Sequence, residues 1–307
     1  MKILVTGGAG YKGSLLIPML LKQGHKVTLF DNFMWGIKPI LHFATDPYLD
    51  IISGDIRDRE AVGKAMAGCD LVIHLAAIVG YPACAADPAR AVSINVEGTR
   101  NLTSQLQGGQ RIIFASTGST YGKVDGVCTE ETPIAPLTLY GSTKSQAETL
   151  CLEKGGVALR FATVFGTSPR LRLDLLINDF VYQALHNRQI VLYEGHFRRT
   201  FLHVKDAAES YLFTLDNYDK MSGQAYNIGD DAMNFTKRDI AVMLKDMLEF
   251  YLHEADVGED FDKRDYAVSY EKIGQLGFKT RVGIDEGLKE LIRVLRHIRI
   301  TNEWRNA

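Results

Sequence analysis

Apolar and polar positions alternate in period along the first half of the chain. Lys2-Ile3-Leu4-Val5-Thr6 is a short apolar and β-branched run that breaks off at Gly7-Gly8, the pattern of a strand buried on both faces. The spacing then predicts a helix over residues 11–23, closed by Gly24, in which Pro18 should remove a hydrogen bond and bend the axis. Strands are predicted at 26–30 (ending at Asp31), 49–53, 70–75, 111–115 and 157–161. Helices are predicted at 58–67, at 88–106 with Pro88 suited to its first turn, and at 139–153 closed by Gly155-Gly156. Strands alternating with helices of this length imply a doubly wound parallel sheet with helices on both faces, an α/β fold.

Beyond Gly166 the rhythm loosens. Helices are predicted at 174–186, 205–215, 236–247 and 285–297, with short strands between them. There is no repeat, no low-complexity segment and no flexible linker. Residues 1–166 therefore read as one sheet-based domain. Residues 167–307 read as a smaller α+β substrate-binding part, packed on the first and partly interleaved with it.

Composition narrows the class without naming a function. The chain has 307 residues, 46% hydrophobic and 23% charged, with a formal charge of −2. These are ordinary globular values and give no electrostatic reason to bind nucleic acid or an anionic membrane. The longest apolar run, residues 71–86, is interrupted by His74, Gly80 and Pro82. It falls short of the ~18 residues that a spanning helix needs. Four scattered cysteines, none in a CxxC pair, argue against a disulfide scaffold and a structural zinc site. The expectation is a soluble, cytoplasmic protein with no metal.

The candidate chemistry begins at the first strand. Gly7, Gly10 and Gly13, around Tyr11 and Lys12, have GxxGxxG spacing between a strand and a helix. Glycine there allows a tight turn and close approach of backbone to a diphosphate, and the helix N-terminus offers free N–H groups. Asp31 ends the second strand, 18 residues after Gly13. It can hold adenosine ribose hydroxyls and repel a 2′-phosphate, which points to NAD over NADP, or it can be a turn or cap residue. Asp55-Ile56 can contact adenine, or Asp55 can cap the helix that starts near Asp58.

Tyr140 and Lys144 stand four apart on a predicted helix, so both share one face. A lysine beside a phenol favours the phenolate, which is then a general base for an alcohol proton. A surface pair is the plain alternative. Thr117 leaves the end of a buried strand 23 residues earlier, on the rim where ligands bind in doubly wound sheets. Cys84 fits a small buried filler better than a reactive thiol, and Tyr81 in the same loop is a candidate substrate contact.

These residues resemble a known family, the NAD-dependent epimerase/dehydratase type of extended short-chain dehydrogenase/reductase. The resemblance is carried by Thr6-Gly7-Gly8-Ala9-Gly10-Tyr11-Lys12-Gly13, Asp31-Asn32, Gly54-Asp55-Ile56, His74-Leu75-Ala76-Ala77 and Asn95-Val96-Glu97-Gly98-Thr99. Ser116-Thr117-Gly118-Ser119-Thr120-Tyr121-Gly122, Tyr140-Gly141-Ser142-Thr143-Lys144, Leu159-Arg160-Phe161 through Phe165-Gly166, and Arg199 to Asp206 continue it over nearly the whole chain. It implies a Rossmann domain that binds NAD through the glycine loop, Asp31, Asn32, Asp55, Ile56, Leu75, Ala76, Ala77, Tyr140 and Lys144. It implies Tyr140 as base, Lys144 as its pKa-lowering and ribose-binding partner, and Thr117 on the sugar hydroxyl being oxidised. It further implies a nucleotide-sugar held by residues including Tyr81, Arg172, Asn178, Arg199 and Arg264. A homodimer is implied too, formed by the helices near 88–106 and 139–153, with Leu139, Ala147, Leu150, Ala91, Val92 and Leu102 as apolar contacts. His74 and His203 fit core or supporting roles.

Departures from the family pattern carry information. Dehydratases of the family carry Asp-Glu after the Thr, and decarboxylases a Glu at the second position; here Gly118 and Ser119 stand there. That leaves chemistry at one carbon: C4 epimerisation, C4 dehydrogenation or ketone reduction. The Arg-Pro-Gly-Asp of uridine-binding 4-epimerases is absent, and Gly258-Glu259-Asp260-Phe261-Asp262-Lys263-Arg264-Asp265-Tyr266 occupies that region. The segments at 168–174, 196–199 and 263–265 resemble a subgroup that includes GDP-heptose 4-dehydrogenases, which favours a GDP-sugar. A noncatalytic NAD-sensing protein on the same fold is the alternative.

Overall fold

In a computed structural model, residues 1–124, 126–255, 267–299 and 305–306 are described. The strands Lys2–Thr6, Lys26–Asp31, Leu49–Ser53, Leu71–His74, Arg111–Thr117, Val157–Phe161 and Ala225–Ile228 form one parallel sheet of seven. From one edge the order is 49–53, 26–31, 2–6, 71–74, 111–117, 157–161, 225–228. The order reverses direction at the first strand, which pairs with Lys26–Asp31 on one side and Leu71–His74 on the other. That reversal leaves a crevice beyond the carboxyl ends of the central strands.

Alternate strand residues feed two layers. Ile3, Val5, Ile113 and Ala115 pack with Leu16, Ile17, Leu20 and Tyr211 on one face. Leu4, Ile112 and Phe114 pack with Val62, Leu102 and Ala147 on the other. A separate core of Phe165, Ile177, Val181, Phe201, Ile240, Leu288 and Leu291 lies under the second half of the chain. That half adds the three-stranded sheet Asn234–Thr236, Arg198–His203, Thr163–Phe165 and a parallel pair, Gln189–Tyr193 with Tyr251–Ala255. The seventh strand of the main sheet, Ala225–Ile228, also comes from it.

Several elements differ from the sequence expectation. The first helix is Gly13–Lys22, starting two residues later than expected and carrying Pro18 inside it. The helix expected over 88–106 is three pieces: Pro88–Val92, a π-helical turn Ser93–Glu97, and Gly98–Thr103. The loop expected at Tyr81 is a short helix, Tyr81–Ala86, with Pro82 in its first turn. Of the six apolar residues assigned to a second subunit, Ala91, Leu102 and Ala147 are fully buried within the chain itself. Val92 is exposed, and Leu139 and Leu150 are half-buried. None of the helices among the described residues is long and apolar enough to cross a membrane.

Candidate active site

The crevice is a single cavity that gathers most of the residues singled out in the sequence. Gly7, Gly10, Tyr11, Lys12, Gly13, Asp31, Asn32, Asp55 and Ile56 line it, and so do Leu75, Ala76, Ala77, Tyr81, Thr117, Tyr140, Lys144 and Arg172. Strand order separates two ends. The acids Asp31 and Asp55 follow strands on one side of Lys2–Thr6, whereas Thr117 ends a strand two places to the other side.

The glycine loop is shaped for a diphosphate. Gly7 has φ +71°, and a Cβ there would lie 2.6 Å from the Ala76 nitrogen. A Cβ on Gly13 would lie 2.6 Å from the Gly8 carbonyl oxygen. Both positions therefore exclude any side chain. Gly10 N–H donates to Gly7 O (3.1 Å) and Ala9 N–H to Asp31 Oδ2 (3.0 Å). The N–H groups of Tyr11 and Lys12 have no protein acceptor among the described residues. Two orphan donors at a helix N-terminus, with no side chain in the way, fit a diphosphate.

Asp31 is a turn residue that also lines the cavity. Its carboxylate fastens the glycine loop through Ala9 and its own turn through Phe33 N–H (2.8 Å), and it still faces the cavity. Burial raises its pKa, and the backbone donors oppose that rise. Asp55 does not cap the helix Arg59–Met66; Asp58 does, accepting from the N–H groups of Glu60 and Ala61. Asp55 instead takes a fork of bonds from Arg57 (2.7 and 2.9 Å), which holds its pKa down.

At the other end, the helix Leu139–Leu152 is capped by Thr138, whose hydroxyl accepts from Gly141 N–H. Tyr140 and Lys144 come from its first turns and both reach the cavity. Lys144 Nζ lies 4.0 Å over the Phe114 ring. Burial lowers its pKa to about 8, although Cys151, Glu148 and Cys84 pull the other way. Thr117 Oγ1 donates to Ser119 Oγ and accepts from Ser119 N–H, both at 3.2 Å. Asp31 and Asp55 are the only acids that line the cavity among the described residues.

Behind this end lies a buried network. Glu148, on the same helix, accepts from Ser116 Oγ (2.5 Å) and pairs with Arg160 (2.6 Å). Arg160 also donates to the Tyr121 hydroxyl (3.0 Å), which donates to Asn227 Oδ1 (2.6 Å). Three strands and the helix Leu139–Leu152 are thereby tied together beside Thr117.

Other residues prove to be supports. His74 sits fully buried between Thr6 Oγ1 (2.7 Å) and Thr99 Oγ1 (2.9 Å), and burial lowers its pKa to about 3, with a smaller push from Lys144. It is therefore neutral. Cys84 is buried with a thiol raised to about 11, a filler and not a nucleophile. Asn95, in the π-helical turn, accepts from Ile78 N–H and donates to Ile78 O and Thr143 Oγ1. It fixes the Ile78 segment of the cavity to the helix Leu139–Leu152, a role its motif did not spell out.

The residues assigned to substrate divide. Tyr81 and Arg172 line the cavity, Arg172 clamped by Asp174 (2.5 and 3.2 Å). Asn178 does not line it; its amide accepts from Gly166 N–H and donates to Arg172 O. Arg199 is buried on its strand outside the lining, with a bond to Arg198 O. Arg264 lies outside the described residues. Trp35 and Asn306, singled out by no motif, line the cavity too, beside Arg170 of the 168–174 segment. The Arg170 guanidinium lies 4.5 Å over the Trp35 ring and donates to Asn306 Oδ1 (3.0 Å).

A doubly wound sheet with this crevice, an acid-fastened glycine loop and a Thr, Tyr and Lys at the far end defines a nicotinamide-dependent oxidoreductase-type enzyme. Comparison with known proteins agrees. The chain belongs to the NAD dependent epimerase/dehydratase family, whose pattern matches residues 3–229. It is 30% identical to the UDP-N-acetyl-alpha-D-glucosaminuronate decarboxylase of Bacillus cytotoxicus, over 97% of this chain and 98% of that protein. It is 30% identical to UDP-glucuronic acid decarboxylase 1 of Arabidopsis thaliana, over 99% of this chain and 71% of that one. Among solved structures it resembles UDP-glucuronic acid 4-epimerase from Bacillus cereus in complex with UDP-glucuronic acid and NAD. The TM-score is 0.85 and the identity 27%, with 96% and 99% of the two chains covered. UDP-glucose 4-epimerase of Thermus thermophilus, in complex with NAD, gives a TM-score of 0.84 at 25% identity, with 97% and 99% covered. The cofactor is NAD.

Proposed function

We propose that this enzyme oxidises the C4 hydroxyl of a nucleotide-sugar, as a 4-dehydrogenase or 4-epimerase. The observation that carries this reading is the pairing of Thr117, Tyr140 and Lys144 at a cavity end where Gly118 and Ser119 replace the acids of other reactions. Bound NAD supplies the hydride acceptor. Tyr140, as phenolate, takes the hydroxyl proton, and Thr117 holds the same oxygen. The Lys144 cation beside Tyr140 favours the phenolate. Loss of water or of carbon dioxide needs a further acid or base, and Ser119 stands in this chain where the family's decarboxylases are expected to carry a Glu.

The segments at 168–174 and 196–199 support a GDP-sugar such as GDP-heptose. The relatives' names support a UDP-sugar as the second reading. Residues 1–166 would bind the cofactor and 167–307 the nucleotide-sugar, with Ala225–Ile228 as the interleaved piece. The exposed Val92 and half-buried Leu139 and Leu150 support a homodimer in solution. Four unpaired cysteines fit a reducing compartment such as the cytoplasm.

The test is incubation with GDP- and UDP-linked sugars, NAD⁺ and an acceptor for NADH, followed by mass spectrometry and NMR. The expected product is a 4-ketosugar, two hydrogens lighter, or a C4-inverted sugar of unchanged mass. Loss of one water or of carbon dioxide overturns the reading of Gly118 and Ser119.

A further inference from the structure

The glycine loop uses the backbone of Tyr11, while the side chain of the same residue leads into the other half of the chain. The ring is buried, and its hydroxyl donates to Gly166 O (2.7 Å). Burial raises the pKa of this phenol, so it keeps the proton it donates. A second bond joins the same two stretches, from Ser168 Oγ to Tyr11 O (2.6 Å).

Asn178, fully buried, carries the path further. Its Oδ1 accepts from Gly166 N–H (3.0 Å). Its Nδ2 meets the Tyr11 hydroxyl (3.5 Å), Gly166 O (3.3 Å) and Arg172 O (2.8 Å). The backbone of Arg172 is thus held by an amide that Tyr11 and Gly166 hold in turn.

Arg172 is 8% exposed and lines the cavity. Asp174 takes the Nε–H (3.2 Å) and one N–H of Nη2 (2.5 Å). The other N–H groups, on Nη1 and Nη2, have no protein acceptor among the described residues. Nη2 lies 3.8 Å from where a Cβ on Gly80, another lining residue, would stand. A buried guanidinium with one edge clamped and the other open to a cavity suits an anionic oxygen.

Resting on the nucleotide-sugar reading above, we propose that Tyr11 is a positioning residue for the substrate. Its hydroxyl, through Gly166 and Asn178, sets Arg172 to receive a phosphate oxygen of the nucleotide-sugar. The backbone of Tyr11 serves the cofactor and its side chain serves the substrate, so one residue joins the two halves of the site.

The test is calorimetric titration of the full-length, NAD-saturated protein with UDP and with GDP, the tighter of the two then being used for the variants. Arg172→Ala should weaken binding roughly tenfold or more, as loss of charged hydrogen bonds does. Tyr11→Phe keeps the ring and should weaken it roughly three- to tenfold, the effect of one lost hydrogen bond. In the Arg172→Ala background, Tyr11→Phe should add less than about twofold, because a residue that acts through Arg172 then has nothing to set. A merely structural role would give the same loss in both backgrounds. NAD titrated into the cofactor-free proteins is the internal control, since the backbone donors of the loop are untouched. If Tyr11→Phe loses its melting transition, Asn178→Ser takes its place in the cycle, breaking the same path one bond later. No loss in Tyr11→Phe, additive losses in the double variant, or an equal loss of NAD and nucleoside diphosphate overturns the proposal. A parent that binds neither UDP nor GDP overturns the nucleotide-sugar reading itself, and this proposal falls with it.

Discussion

Tyr140 and Lys144 reach one cavity because a four-residue step on a helix keeps side chains on one face. Their roles separate under mutation. Tyr140→Phe keeps ring and packing and removes the proton acceptor. Turnover should fall roughly 10²–10⁴-fold with NAD still bound, as steady-state kinetics and cofactor absorbance will report. Lys144 differs because it is buried with a pKa of about 8, below its ordinary value. Between about pH 8 and 10.5 the unfolded chain binds more protons at this group than the folded one, so its penalty on stability shrinks as pH rises. At neutral pH that penalty is on the order of 3 kcal/mol. Cofactor-free Lys144→Met should therefore melt above the parent at pH 7, with the gap closing toward pH 10 in calorimetry. A gap that widens with pH would contradict the burial account.

Among the elements, the helix Leu139–Leu152, which carries Tyr140 and Lys144, is tied to the sheet by Glu148. Glu148→Ala leaves the Arg160 guanidinium buried without its carboxylate and Ser116 without its acceptor. The expected cost is about 3–5 kcal/mol, read as a lower urea midpoint with an unchanged slope. Which elements the sequence announces follows from distance along the chain. The glycine loop, Asp31, Tyr140 and Lys144 are legible because each rests on spacing within one strand–turn–helix unit. The π-helical turn at Ser93–Glu97 was not, since one extra residue barely shifts a helical period. The Trp35, Arg170 and Asn306 cluster was not legible either, because its members are far apart in sequence and meet only through packing. Of the two readings of Asp55, the cap falls to Asp58, whose side chain reaches the free N–H groups of Glu60 and Ala61.

For the molecule as a whole, the outer surface of the helices at 88–103 and 139–152 is what remains for a second copy. Val92 is 39% exposed there, while Ala91, Leu102 and Ala147 already serve the chain's own core. A twofold, self-complementary contact is expected, and light scattering at micromolar concentration should give twice the chain mass. Val92→Asp should shift that mass toward the monomer. An unchanged monomeric mass in the parent would move the interface question elsewhere.

The bond from Tyr121 to Asn227 has a consequence for the order in which the protein is made. A ribosome has delivered the glycine loop, Tyr140 and Lys144 well before it reaches residue 228. Until then the strand Val157–Phe161, buried on both faces in the finished fold, is an open edge lacking its neighbour Ala225–Ile228. The nascent chain thus holds Tyr140 and Lys144 ahead of the strand that completes the sheet, and the interval is one in which chaperones would matter. A fragment ending at residue 166 should accumulate as aggregate on expression, whereas the full chain should not, as fractionation of the lysate will show.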